Sequence, residues 1–233
     1  MRLLLSLLLL AGCDRLFGLA DLVDRPDDDE GIDASITGAP DARPGCTLDT
    51  FSRGMIGFSE LWNREHMPPR SEVVVESDKL AIKIAPTAAE FGYAFTTSAY
   101  DLTGATISVR VDQVIGAGNA ETFFDLENEA MDYYEFSYSN GMLRMYLYRD
   151  DMIEQNKTIP YDPMLHAYWR FQHIPARNAV AFFTSPDAVS WIEHHSIPTS
   201  VAVVALFPGV GAGIYSGSVP DGVSIFDDFE LCR

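Results

Sequence analysis

Three carboxylic acids spaced two residues apart, Asp125, Glu127 and Glu129, follow the apolar pair Phe123-Phe124. On an extended strand, residues i, i+2 and i+4 share one face, with neighbours about 6.7 Å apart. Two carboxyl groups at roughly that spacing, flanking a glycosidic bond, can serve as acid and base or as acid and nucleophile. The same three residues also read as a solvated acidic strand. Asn128 and Met131-Asp132 signal a turn that would carry Glu129 off the shared face.

The elements that would position these acids are strands. Asn140-Gly141 fits a two-residue type I′ turn, which needs positive φ at both positions. Counting outward pairs Ser139 with Met142, Tyr138 with Leu143, Phe136 with Met145 and Tyr134 with Leu147, giving an apolar face. The alternate pairs are Ser137 with Arg144, Glu135 with Tyr146 and Tyr133 with Tyr148, a polar and aromatic face. If residues 122–128 neighbour this hairpin, Asp125 and Glu127 join Tyr133, Glu135, Arg144, Tyr146 and Tyr148 on one outward face. Aromatic rings beside planar hydrogen-bonding groups suit a sugar, whose C–H faces stack while its hydroxyls bond. Tyrosine is also simply a good residue for an exposed sheet.

Elsewhere, from Cys46 onward, short alternating segments recur about every ten residues, and helical periodicity is nearly absent. Thr106 to Asp112 alternates most cleanly, with Ile107, Val109 and Val111 on one side. Further strands are expected at 79–84, 93–97, 168–174, 179–184, 191–196, 201–207, 211–215 and 223–232. About a dozen strands in this length predict an all-β fold, a two-sheet antiparallel β-sandwich.

The chain opens with Met1-Arg2, an apolar run from Leu3 to Leu10 broken only by Ser6, and Ala11-Gly12-Cys13. That run is far short of the roughly 20 residues that span a bilayer, so it reads as a secretory signal. Leu10-Ala11-Gly12-Cys13 resembles the lipobox of bacterial lipoproteins, which implies cleavage before Cys13, a diacylglyceryl thioether on its sulfur, and a place in the bacterial cell envelope. An ordinary signal peptide is the other reading, and the choice of inner or outer membrane stays open. The expected organisation is a signal peptide over 1–12, a lipid-anchored acidic disordered linker over 13–45, and a β-sandwich domain over 46–233.

Residues 14–45 carry nine acids against three arginines, with prolines and glycines that leave little to bury. The 233-residue chain has a net charge of -18, and a surface this acidic repels phosphate backbones. Nucleic acid is therefore not an expected partner; a membrane, reached through the Cys13 anchor, and glycans are. With Cys13 set aside, Cys46 and Cys232 remain, and an oxidising compartment favours a disulfide between them over two reduced buried thiols. The five histidines offer no ligand pair: His194 and His195 are consecutive and point to opposite sides of a regular strand, and the others are scattered.

Several segments in order carry a wider resemblance: Leu48 to Phe51, Trp62, Tyr100 to Gly104, Tyr168 to Phe171, Ser185 to Trp191 and Phe226 to Leu231. Residues 46–233 resemble the jelly-roll domains of the concanavalin A-like lectin/glucanase superfamily, in particular extracellular bacterial members. The resemblance implies neighbouring first and last strands, which brings Cys46 near Cys232. It implies a structural calcium at Asp227 or Asp228 and no other cofactor. The family's Ser-Pro-Asp-Gly turn has Ala188 in the glycine's place, which argues against a left-handed residue there. Phe226 and Phe229 have opposite parity, so burying both requires a bulge at Asp227-Asp228. Laminarinase-type glycosidases of the superfamily carry a Glu-x-Asp-x-(x)-Glu strand, whereas Asp125, Glu127 and Glu129 exchange the acid types. The expected function is a carbohydrate or cell-surface binding module, against a divergent glycoside hydrolase or a purely structural domain.

Overall fold

The computed structural model describes residues 45–51, 61–66, 71–85, 88–116, 118–218 and 222–233. The expected signal peptide, Cys13 and the linker through residue 44 lie outside them. The described strands, numbered along the chain, are β1 (Cys46–Asp49), β2 (Trp62–His66), β3 (Ser71–Glu76), β4 (Lys79–Ile84), β5 (Ala88–Thr96), β6 (Thr106–Gln113), β7 (Glu121–Glu127), β8 (Tyr133–Ser139), β9 (Met142–Arg149), β10 (Met152–Pro160), β11 (Tyr168–Ile174), β12 (Ala179–Ser185), β13 (Ile192–Pro198), β14 (Phe207–Ser218) and β15 (Gly222–Cys232). They form two antiparallel sheets. The first runs β13-β12-β11-β6-β15-β4-β3, with β1 pairing β15 beyond the end of β4; the second runs β10-β9-β8-β7-β14-β5-β2.

Alternating side chains sort into the layer between the sheets. Ile107, Val109 and Val111 from β6 meet Phe124 and Leu126 from β7 in one buried cluster. At its centre Phe124, Phe136, Trp169, Phe171 and Phe182 pack ring against ring, with the Phe124 and Phe171 centroids 4.9 Å apart. Tilted and edge-on pairs of this kind add about 0.5–1.5 kcal/mol each beyond the area they bury. A buried polar contact bridges the layers: the hydroxyls of Thr122 and Ser224 lie 2.7 Å apart, and Thr122 also accepts the Ile115 amide.

The hairpin has the register its turn demands, from Tyr133 opposite Tyr148 to Ser139 opposite Met142, with φ of 52° at Asn140 and 77° at Gly141. The last strand carries the expected bulge. The pairing with β6 shifts between Asp227 and Glu230, Asp228 takes a φ of 45°, and both Phe226 and Phe229 are buried. Cys46 lies opposite Cys232 and the two form a disulfide. Closing so long a loop is worth about 5 kcal/mol in the chain-entropy account.

Two segments differ from the strand expectations for identifiable reasons. Residues 201–206 form no strand. Val201, Val203 and Leu206 are buried, but they belong to a loop pinned by the Tyr134 hydroxyl, which donates to the Val201 carbonyl at 3.2 Å. In contrast, β10 is a strand with no apolar alternation, because it is an edge strand and nearly all of it is exposed.

The Ser185–Trp191 turn is built as its residues suggest. Asp187 Oδ1 accepts the amides of Val189 (2.9 Å) and Ser190 (2.7 Å), and the Trp191 indole donates to the Ala188 carbonyl. Contrary to expectation, Ala188 does adopt the left-handed conformation, with φ 59°. A non-glycine residue there costs about 1–2 kcal/mol, partly offset because glycine has more unfolded-state freedom to lose. Ala188→Gly is therefore expected to raise stability by about 0.5–1 kcal/mol, measured by urea unfolding.

Candidate functional site

The outward face of the second sheet collects the residues singled out by spacing. Strand β7 presents Glu121, Phe123, Asp125 and Glu127, because Thr122, Phe124 and Leu126 point into the core. The register places Asp125 opposite Glu135, which is in turn opposite Tyr146, and Glu127 opposite Tyr133, which is in turn opposite Tyr148. Arg144 lies on the same face and is exposed. Glu129 does not join them. Asn128 Oδ1 accepts the amides of Ala130 and Asp132, which ends the strand and leaves Glu129 exposed in the turn.

This face is not the solvated acidic surface that its composition suggests. Asp125 is 4% exposed, Glu135 3% and Tyr146 5%. The Tyr93 hydroxyl donates to Asp125 Oδ1 at 2.7 Å, and the Tyr146 hydroxyl donates to Glu135 Oε1 at 2.6 Å. Burial, with Glu127 and Glu135 nearby, pushes Asp125 well above the usual carboxylate range; burial does the same to Glu135. Both tyrosine hydroxyls are pushed up as well, first by burial and then by the neighbouring acids. Two facing carboxyl groups without a cation between them favour the protonated form.

Strand β14 makes room for this arrangement. A Cβ at Gly209 would collide with the Tyr93 ring, and one at Gly211 with the Phe123 ring, so both rings lie against bare backbone. Tyr93 stacks on Phe95 at 5.2 Å and meets Phe123 at 5.7 Å, producing an aromatic floor. Towards the other end of the face, Tyr133 and Tyr148 stack at 4.8 Å with planes 12° apart, and both rings are half-buried. Sequence reasoning missed Tyr93, Phe123 and the glycines; the Gly209-x-Gly211-x-Gly213 alternation was the available signal.

No three consecutive positions on this face read Glu, Asp, Glu. The window Phe123, Asp125, Glu127 keeps the central Asp and the last Glu of the laminarinase-type pattern, but its first position is the phenyl ring lying on Gly211.

The acids around the last strand are engaged by neighbouring groups. Asp112 is held by Lys79 and Arg110, Arg110 also approaches Asp228 at 3.8 Å, and Asp227 Oδ1 accepts the Asp228 amide. Asp112 and Asp228 already face cations, which leaves fewer free oxygens here than the several that calcium takes. Among the described residues the one grouping of three donors is Cys46, Glu230 and Cys232, and its sulfurs are joined in the disulfide. A trough of about 910 Å³ lies elsewhere, on the outward face of the first sheet, where Lys79 and Lys83 line it but are ion-paired.

No protein-family model matches the chain, and no curated protein matches it. Solved structures do. A laminarinase from Flavobacterium sp. UMI-01 superposes with a TM-score of 0.59 at 11% identity, covering 80% of this chain and 99% of that one. A Bacillus licheniformis β-glucanase gives 0.56 at 11% identity, covering 81% and 98%. An immunostimulatory antigen and pseudo β-1,3-glucanase of Mycobacterium tuberculosis gives 0.53 at 14% identity, covering 80% and 97%. Likeness at such identity defines the fold: this is a concanavalin A-like jelly-roll sandwich. Within that class its architecture is similar to that of the laminarinase and glucanase structures.

The buried acids give a pH signature of known sign. A carboxyl group whose folded-state value is raised contributes stability that is complete below the unfolded value, near 4, and is lost as pH climbs towards the folded value. Asp125→Asn and Glu135→Gln keep an acceptor for the tyrosine hydroxyl but cannot ionise. Each variant should gain on the wild type as pH rises from about 4, by up to about 1.4 kcal/mol per pH unit within the titrating window, measured as paired melting curves.

Proposed function

We propose that this chain is a lipid-anchored protein of the bacterial cell envelope whose jelly roll binds glycan on the outward face of the second sheet without cleaving it. The observation that carries this reading is the stacked Tyr133–Tyr148 pair: its half-buried rings, with the half-buried Phe95 towards the other end, give apolar surface to the C–H faces of a sugar, backed by the buried Tyr93 and Phe123 lying on β14, and Arg144 and Glu127 at the margin supply hydrogen bonds. The fold's likeness to laminarinase and glucanase structures supports a glycan as the ligand.

Hydrolysis needs two carboxyl groups flanking the glycosidic bond. Here Phe123 stands at the first acid position, Asp125 and Glu135 are covered and bonded to tyrosine, and Glu129 has left the sheet. Glu127 and, at the far end of the strand, Glu121 remain as half-buried acids, and Glu121 already accepts the Ser137 hydroxyl. The anchor rests on the Leu10-Ala11-Gly12-Cys13 sequence. Acylation at Cys13 would tether the domain on an acidic linker of about 30 residues, reaching roughly 30 Å on average.

A glycan array, followed by calorimetry on its best β-glucan and a reducing-end assay, tests the reading. The expected result is binding that weakens at least about 5-fold in Tyr148→Ala, with no new reducing ends; loss of one stacking ring is worth about 1 kcal/mol. Release of reducing ends that Glu127→Gln abolishes would make the protein a hydrolase. An array blank for every glycan would leave a structural domain. Mass spectrometry of the N-terminal peptide should find the diacylglyceryl group on Cys13.

A further inference from the structure

Three of the five histidines gather at one seam of the sandwich, although their sequence positions scatter them. Strand β13 ends the first sheet and β10 ends the second, so the seam lies between two edge strands. The pairing of β12 with β13 shifts between Phe182 and Phe183, so His194 is the extra residue of a bulge. Regular alternation would turn His194 and His195 to opposite sides; the bulge turns both inward. His194 Nε2 lies 2.7 Å from the buried Thr184 hydroxyl, while the His195 ring lies 6.0 Å from Phe182 and reaches the Gln155 carbonyl of β10. His166, from the loop before β11, packs edge-on against His194 with ring centroids 5.6 Å apart.

The hydrogen bonds set the protonation state of His166. The Asp162 backbone amide donates to His166 Nδ1 at 3.0 Å, so Nδ1 carries a lone pair and the ring is neutral, with its proton on Nε2. That bond closes the loop over 162–166, together with the His166 amide donating to the Asp162 carbonyl and the Trp169 indole donating to the His166 carbonyl. A proton on Nδ1 would set N–H against N–H. A second proton on His194 would set two cations side by side, partly buried.

We propose that His166 and His194 form an acid-sensitive latch on the seam between β10 and β13, closed while both imidazoles are neutral and released when they take up protons. Other charges around the seam are already engaged or distant from the rings. The Asp162 carboxylate accepts the Met164 amide, Glu193 is held by Arg177, Glu154 by Arg149, and Lys157 is exposed; Tyr161 and Tyr138 contribute only hydroxyls. Burial pushes His166 down against the pull of Asp162, and burial with His166 alongside pushes His194 down. A lowered folded-state value means that closure is complete above the unfolded value near 6.5 and is lost as pH falls below it. Release would free the loop bearing the exposed Met164 and Leu165 and uncover Phe182, Trp169 and Ile197 behind it.

Amide hydrogen exchange on the full-length chain between pH 7.5 and 5, corrected for intrinsic rates, tests the latch. Protection of β13 and of 161–167 is expected to fall relative to the β8–β9 hairpin, by up to about 30-fold at pH 5 for each histidine held neutral. His166→Asn leaves an acceptor for the Asp162 amide, and His194→Gln leaves a partner for Thr184. The double variant should hold its pH 7.5 protection at pH 5. Should that variant fold poorly, an NMR titration of the wild type serves: both imidazoles should titrate below 6.5, in step with β13 amide shifts. A seam no more acid-sensitive than the hairpin, a fall that persists in the double variant, or rings that titrate at 6.5 without β13 would each overturn the latch.

Discussion

Asp125 and Glu135 sit directly opposite each other on adjacent strands, and their hydrogen-bond partners are tyrosine hydroxyls rather than cations. The rest of the outward face follows from that constraint. Buried carboxyl groups are tolerated when they are neutral and bonded, and the bond to Asp125 requires the Tyr93 hydroxyl to reach across β14. The ring can cross only where the backbone has no side chain, which Gly209 supplies. Gly211 does the same for Phe123, so a glycine alternation on one strand sets the chemistry of its two neighbours, β5 and β7.

A hydrolytic site needs carboxyl groups that meet a substrate and change protonation during the reaction. Here the deepest acids are covered by the rings that would otherwise offer them to a ligand, and their protons are held by burial. What the face leaves open is ring area at its margins, with Arg144 and the half-buried Glu121 and Glu127. Such a surface is suited to recognition.

Much of the scaffold was legible because it rests on local rules. Asn140-Gly141 dictates its turn, and the hydrophobic pattern on either side independently dictates the same register. The parity clash between Phe226 and Phe229 is enough to place a bulge, and the two cysteines on the paired first and last described strands find each other. The misses are nonlocal. Whether Asp125 is covered depends on a tyrosine 32 residues earlier and a glycine far downstream. The bulge that turns His194 and His195 to one side has no parity clash to announce it. Strand β10 carries no alternation because it is hydrogen-bonded along one edge only and most of its side chains face solvent.

The titratable groups of the β10–β13 seam and of the outward face of the second sheet pull in opposite directions, which bears on where such a fold is most stable. Groups with lowered values on the surface, such as Asp187, held at about 2 by the amides of Ser190 and Val189, and Glu193, held down by Arg177, favour the folded state above the ordinary carboxylate range and lose that effect in acid. His173, whose Nδ1 accepts the Gly104 amide, adds to the acid-side loss together with His166 and His194. The raised acids Asp125, Glu135 and Glu121 act the other way, favouring the folded state most when pH is low. Between about 4 and 6.5 the histidine and buried-carboxyl contributions therefore oppose each other, and the summed profile is flatter than either set alone. The compensation is only global. His166 and His194 act on the β10–β13 seam and the acids on β7 and β8, so a pH change too small to move overall stability still redistributes it, loosening one part of the sandwich as it tightens another.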